Sequence, residues 1–252
     1  MTRAPADQSE ATPGCSFVMS VGSNLHRLPS RDKGPTSVWG SGCYGGDEAS
    51  AKTCLTKKMI EEADLTVAAL RGPLSLDLVA AHCSTPLPSG EKVVPLGDPG
   101  MILPWLYQPR VSDRGRLAVL VVPHFSDAAF ITNHLKHHSA RVMQPGCPWR
   151  DLVDAMTSAD LVLSSALHPL VVAEAYGVPA AWLRDPNLPT QQSSSSAEGT
   201  FKYHDYYLGT GRQLPISACD TVQTSGHAER GSGRNESDPR RWKSHIFGQR
   251  DR

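Results

Sequence analysis

The stretch DLVLSSALHPLVVAEAYGVPAAWL, residues 160–183, decides the fold. Asp160–Leu163 is a short apolar run that reads as a strand. Ser164–His168 is polar and reads as a loop. Pro169–Tyr176 has helical spacing, and Gly177 stops it. Val178–Leu183 is apolar again and reads as the next strand. Strand, loop, helix and strand in so few residues make a βαβ unit, which pairs its strands in parallel.

The same alternation runs outward in both directions. Upstream, Leu117–Val122 is a continuous apolar run, as expected of a strand buried on both faces. Asp127–His137 has helical spacing, Arg141–Gln144 reads as a strand and Pro148–Ala159 as a helix. Further upstream, Ser16–Val21, Ser37–Trp39, Leu65–Leu70 and Val93–Leu96 read as strands, and Thr53–Glu62 and Leu74–Ala81 as helices. Residues 105–116, WLYQPRVSDRGR, break the pattern and read as a linker. The expectation is an α/β chain of two Rossmann-like parallel-sheet halves, residues 16–110 and 111–215, the first abbreviated. Residues 1–15 and 216–252 are polar, poor in aliphatics, and read as disordered tails.

Composition bounds the function. The 252 residues include 25 Lys+Arg and 25 Asp+Glu, so the formal net charge is zero. A balanced chain is not built to coat nucleic acid. No apolar run approaches the ~18 residues that span a bilayer, and the first residues lack the apolar core of a secretory signal. The six cysteines form no CxxC, and their spacing fits no zinc pattern. Scattered thiols of this kind suit a reducing, cytoplasmic compartment.

Parallel sheets place ligands at the carboxyl ends of their strands. Several strands here run directly into Gly or polar groups: Gly40-Ser41-Gly42, Arg71-Gly72, Gly97-Asp98, His124 and Ser164-Ser165-Ala166-Leu167-His168. There is no GxGxxG, P-loop or GxSxG. His168 stands where a strand turns into a helix, with Pro169 suited to the first helical position. Its imidazole either exchanges protons beside an anion or merely caps the helix. Arg71 either grips a carboxylate or phosphate or forms an internal salt bridge. His124 and Glu174 leave the same choice between ligand and scaffold. His134, His137 and His138 read as a solvated helix face, and no metal site is expected. Phe201–Arg212, FKYHDYYLGTGR, reads as an amphipathic helix that either closes over a cleft or docks as a terminal helix.

Seven segments in order resemble the polysaccharide pyruvyl transferase family: VWGSG (38–42), ALRGPL (69–74), LGDP (96–99), VPHF (122–125), SSALH (164–168), VAEAYGVP (172–179) and KYHDYY (202–207). They cover residues 17–212. The family's opening Asn-Phe-Gly-Asp motif is absent, Ala166 stands where some members have Arg, and Pro169 replaces the usual Gly. The resemblance implies a fold like that of the two-domain, GT-B-type glycosyltransferases. It implies transfer of the enolpyruvyl unit of phosphoenolpyruvate to a sugar, giving a pyruvate ketal. The acceptor would be a glycan or lipid-linked saccharide, held with the donor in a cleft between the halves. His168 would be the general acid/base. Arg71 and Lys202 would hold the donor's anionic groups, His124 would add a contact, and Ser164, Ser165, Leu167 and Glu174 would line the substrate. No cofactor is implied beyond the donor. The rival readings are a nucleotide-sugar glycosyltransferase of the same architecture and a truncated, non-catalytic relative that binds a glycan.

Overall fold

The computed structural model describes residues 16–45, 55–84, 93–110, 117–135, 140–185, 187–192, 196–212 and 219–220. It is an α/β chain with two parallel sheets. Two compact units divide it: Met1–Pro99 with Thr200–Leu214, and Gly100–Gly199 with Pro215–Arg252. The boundary thus falls after Pro99 rather than near residue 110, and residues 200–214 belong with the first unit, not the second.

The first unit carries β1 (Phe17–Met19), β2 (Thr36–Trp39) and β3 (Leu65–Ala69), parallel and in that order. An isolated parallel bridge joins Leu70 to Leu96, which is all that forms of the strand expected at Val93–Leu96. In β2 the side chains alternate, with Thr36 and Val38 inward and Ser37 and Trp39 outward, as the pleat requires. Two short helices follow the strands, α1 (Lys57–Glu62) and α2 (Pro73–His82). The Thr56 hydroxyl accepts the Met59 N–H at the start of α1, and Pro73 opens α2 where a missing N–H costs nothing. The core gathers Leu25, Val38, Cys43, Leu55, Ile60, Leu70, Val79 and Val94.

The second unit is built on β4 (Leu120–Val122), β5 (Arg141–Val142), β6 (Val162–Ser164), β7 (Ala180–Arg184) and β8 (Cys219–Asp220), in spatial order β5-β4-β6-β7-β8, all parallel. Its helices are α3 (Leu103–Leu106), α4 (Ala128–His134), α5 (Trp149–Thr157), α6 (Leu167–Ala175) and α7 (Pro189–Gln192); α8 (Ser196–Gly209) runs back into the first unit from Thr200. The sheet is covered on both faces. Leu120 and Val122 pack with Ala155, Met156 and Ala173 of α5 and α6, while Val121 packs with Ile131 of α4 and with Leu183 and Leu188. That explains the unbroken apolar run in the sequence: neither face of β4 meets water.

Three sequence expectations are corrected. The helix expected from Pro169 begins two residues earlier, at Leu167, so Pro169 is its third residue. It is still tolerated there, because first-turn N–H groups have no partner within the helix. The tail beyond 216 is not wholly unstructured, since Cys219–Asp220 pairs with Leu183–Arg184. Residues 105–110 are not a loose linker; the Arg110 N–H donates to Asp154 of α5, and the hydroxyl of Tyr176, at the end of α6, donates to the Tyr107 carbonyl. The readings of residues 1–15, of Thr53 and Cys54, and of His137 and His138 lie outside the described residues. Gly177 does end α6. It adopts φ +72°, and the N–H groups of Gly177 and Val178 return to the carbonyls of Glu174 and Ala173, closing a Schellman motif. No helix among the described residues is long and apolar enough to cross a membrane.

Leu120→Ala should lower the unfolding free energy by about 2–5 kcal/mol, because it opens a cavity in a face-to-face packed sheet. Val18→Thr, at a position 67% exposed, should change it by less than about 0.5 kcal/mol. Urea denaturation of the two variants checks the contrast.

Candidate functional site

In the first unit the carboxyl ends of the strands are filled by the chain itself. Arg71 follows β3 and is fully buried. A buried guanidinium is tolerable only when its donors are paired. Here Nε donates to Asp205 Oδ2 at 3.0 Å, Nη1 to Ser23 Oγ at 2.7 Å and Nη2 to the Cys43 carbonyl at 2.7 Å. Asp205, on α8, is also fully buried. Its Oδ1 accepts the Ser75 N–H at 2.9 Å and its Oδ2 the Ser75 hydroxyl at 2.6 Å. Ser75 is the third residue of α2, whose preceding residue, Gly72, has no side chain to cap it. Asp205 therefore caps α2 from a distant part of the sequence, with its negative charge at the positive end of the helix.

Arg71 is thus committed inside the fold and is corrected from donor ligand to internal ion pair. The glycines around it have a steric reason. A Cβ on Gly42 would strike the Arg71 guanidinium, and one on Gly72 the Asp205 backbone. Lys202 also lies in this unit; it is half-buried, with its ammonium 5.6 Å from the Tyr44 ring centre and 5.3 Å from that of Tyr203. Of Phe201–Arg212, the part up to Gly209 is helical and docks through Tyr203, Asp205, Tyr206 and Tyr207, all buried. A lone carboxylate on that aromatic face was the sequence signal for a buried cation partner, but nothing in the sequence named Arg71.

In the second unit the carboxyl edge is differently made. The chain leaves β4 toward β5 on one side and leaves β6 toward β7 on the other. Between these neighbours lies the topological switch point, where open α/β sheets form their ligand crevice. The residues at and beyond the ends of the two strands include His124 and Ser164–His168.

Serine side chains join the two loops. Ser164 Oγ donates to the Val122 carbonyl and accepts the Ala166 N–H at 3.0 Å. Ser165 Oγ accepts the His124 backbone N–H at 2.9 Å. The Ser126 N–H reaches His124 Nδ1 at 3.3 Å, which leaves the ring proton on Nε2. Asp127 is fully buried and accepts the Thr190 N–H and hydroxyl at 2.9 and 2.7 Å, fixing the β4 loop to the start of α7. Phe125 is 66% exposed, its ring 4.4 Å from that of His124. Sequence reading passed over Phe125, Asp127 and Thr190, since no spacing pattern links them.

His168 is the second residue of α6 and is half-buried. It stands in the first turn of the helix that follows β6, and His124 on the loop that follows β4. Ser164, Ser165 and Leu167 are corrected from substrate contacts to scaffold. All three are buried, the serines hold loop backbone, and Leu167 is an apolar side chain turned into the unit. Glu174 is not brought together with His168. Six residues along an α-helix put it about 240° round and about 9 Å further from the carboxyl edge. Among the described residues no group of His, Cys, Asp and Glu could hold a metal ion. Burial raises the thiol pKa of Cys83 and Cys147, which makes poor nucleophiles of them.

No family model matches the chain, and no curated protein matches it. Among solved structures it is similar to the bacterial iron-containing dodecameric glycosyltransferase TibC from enterotoxigenic E. coli H10407, with 9% identity and a TM-score of 0.26 over 71% of this chain. The match covers 60% of that protein's chain. A likeness at this level leaves function to be argued from the residues themselves.

Two predictions follow from the first unit. Arg71→Met and Asp205→Leu should each destabilise by about 3–5 kcal/mol, because each leaves one buried charge unpaired, and the double variant should lose much less than the sum. A double-mutant cycle in urea measures the coupling. Burial, with the neighbouring Arg27 charge, pushes the His26 pKa below its ordinary value. Its contribution to stability is complete above pH ~6.5 and is lost as pH falls below that, because the unfolded chain takes the proton more readily. His26→Gln should therefore flatten the fall in urea midpoint between about pH 7.5 and 5.5.

Proposed function

We propose that this chain is a glycan-modifying transferase that moves the enolpyruvyl unit of phosphoenolpyruvate onto a sugar. The observation that carries the reading is the pair of imidazoles at the switch point of the five-stranded sheet, His124 on the loop after β4 and His168 in the first turn of α6. The ordered sequence resemblance supplies the chemistry.

His168, in its imidazolium form, protonates the methylene carbon of the enol, which becomes a methyl group, and the adjacent carbon becomes an oxocarbenium-like centre. One sugar hydroxyl adds to that carbon and gives up its proton to the neutral imidazole. The carbon–oxygen bond to phosphate then breaks, and phosphate leaves with the electron pair. A second hydroxyl of the same sugar adds and passes its proton to the departed phosphate, closing the ketal and leaving His168 protonated as at the start. The positive end of α6, at Leu167–His168, faces the edge where the donor's carboxylate and phosphate would lie. His124, with its Nε2–H directed by the Ser126 contact, donates a hydrogen bond to the same anion. Arg71 has no part in this scheme, since its guanidinium is held inside the first unit.

Calorimetric titration of the full chain with phosphoenolpyruvate, and separately with UDP- and GDP-sugars, tests the proposal. The expected result is binding of phosphoenolpyruvate, weakened about tenfold in His124→Ala. With a competent acceptor, His168→Gln should release phosphate at least about a hundredfold more slowly while the protein stays folded. Binding of nucleotide sugars alone would replace this reading with glycosyl transfer. Silence toward both classes would overturn it in favour of a non-catalytic glycan binder.

A further inference from the structure

Phe125 is left 66% exposed at the carboxyl edge of the five-stranded sheet. A single exposed apolar side chain means nothing by itself, since every folded surface carries some. Phe125 is set apart by its place and by how firmly it is held there. It is the third residue past the end of β4, on the loop at the switch point where open α/β sheets take their ligands.

The backbone that carries it is clamped on both flanks. On one side the His124 N–H donates to Ser165 Oγ at 2.9 Å. On the other, buried Asp127 accepts the N–H and hydroxyl of Thr190. The turn also closes on itself, with the Asp127 N–H returning to the His124 carbonyl at 2.9 Å. The Phe125 ring leans on the His124 ring, centroids 4.4 Å apart and planes 41° apart, which restricts its rotation. An aromatic ring is thus presented to solvent on a loop that has little freedom left to lose.

We propose that Phe125 is a stacking platform for the pyranose ring of the acceptor sugar. This rests on the transferase reading above and divides the two substrates between neighbouring side chains: His124 takes the donor's anion and Phe125 takes the sugar. Chemistry makes the division. A phenyl ring has no hydrogen-bonding group, and its face carries partial negative charge. That face repels a carboxylate or phosphate, so it does not serve phosphoenolpyruvate. It attracts the weakly positive hydrogens on the C–H face of a pyranose. The sugar's hydroxyls then lie round the rim, beside the polar groups of the loop. A protein or lipid partner would need a contiguous apolar patch, whereas the neighbours of Phe125 along the chain are the half-buried His124 and the exposed, polar Ser126.

Saturation-transfer difference NMR of the full chain with methyl β-D-glucopyranoside, methyl β-D-galactopyranoside and methyl α-D-mannopyranoside tests it. The C–H protons of at least one glycoside should receive saturation. Binding should be about tenfold weaker in Phe125→Ala and in Phe125→Leu, which keeps apolar bulk but has no π face, and should be retained in Phe125→Tyr. Because the side chain is exposed, the urea midpoints of all three variants should match the parent. Phosphoenolpyruvate affinity in Phe125→Ala should stay within about twofold of the parent, while His124→Ala weakens it. If phosphoenolpyruvate does not bind and a glycoside does, the donor assignment falls and the platform stands. Four results would overturn the platform: no saturation of any glycoside, equal binding in Phe125→Ala, full binding in Phe125→Leu, or a Phe125-dependent contact with uridine diphosphate in place of every glycoside.

Discussion

A guanidinium sealed from water is the constraint around which the first unit is arranged. Arg71 stands two residues past the end of β3, so its charge arrives at the sheet edge. Each surrounding feature answers that placement. Asp205 neutralises it, Ser23 and the Cys43 carbonyl take two further donors, and Gly42 and Gly72 leave the space it and its partner occupy. The same carboxylate caps α2 through Ser75, so one side chain couples β3, α2 and α8. Such a pair contributes little net stability over apolar packing of the same volume. In this docking of α8 one carboxylate satisfies both the cation and the helix start.

The second unit solves the same geometric problem in the opposite way. Its strand-end loops tie to each other through short serine bridges, and buried Asp127 fixes the β4 loop to α7. The imidazoles are therefore carried on backbone that is held rigid, and the Nε2 of His168 is buried. A site held by loop-to-loop hydrogen bonds is preorganised without being filled. Here Ser164 and Ser165 matter through the backbone they hold.

The alternation of apolar runs with helical spacing made the α/β class and nearly every strand legible, because burial on both faces writes a local signal. Leu117–Val122 and Asp160–Leu183 show it best. Boundaries were less legible. α6 starts at Leu167 because first-turn residues need no N–H partner, so Pro169 marks the first turn and not the first residue. The candidate site was half legible. His124 and His168 stand out in the sequence because strand ends in parallel sheets are the places to look. Arg71 was found for the same reason, yet its role depends on Asp205, 134 residues away, and no local pattern carries that pairing. The fixing of residues 103–110 by Tyr176 and Asp154 is likewise a long-range contact, invisible in a stretch that reads as linker.

The discontinuity of the first unit has a consequence for synthesis. Ribosomes deliver residues 100–199 before α8 can reach its place. Until Asp205 emerges, Arg71 and the start of α2 lack their counter-charge and cap, so the N-terminal strands must wait, half assembled, through the making of an entire neighbour. Nascent chains stalled anywhere before residue 205 would hold a protease-sensitive N-terminal segment, and a stop codon there would leave the early strands as clients for chaperones and degradation.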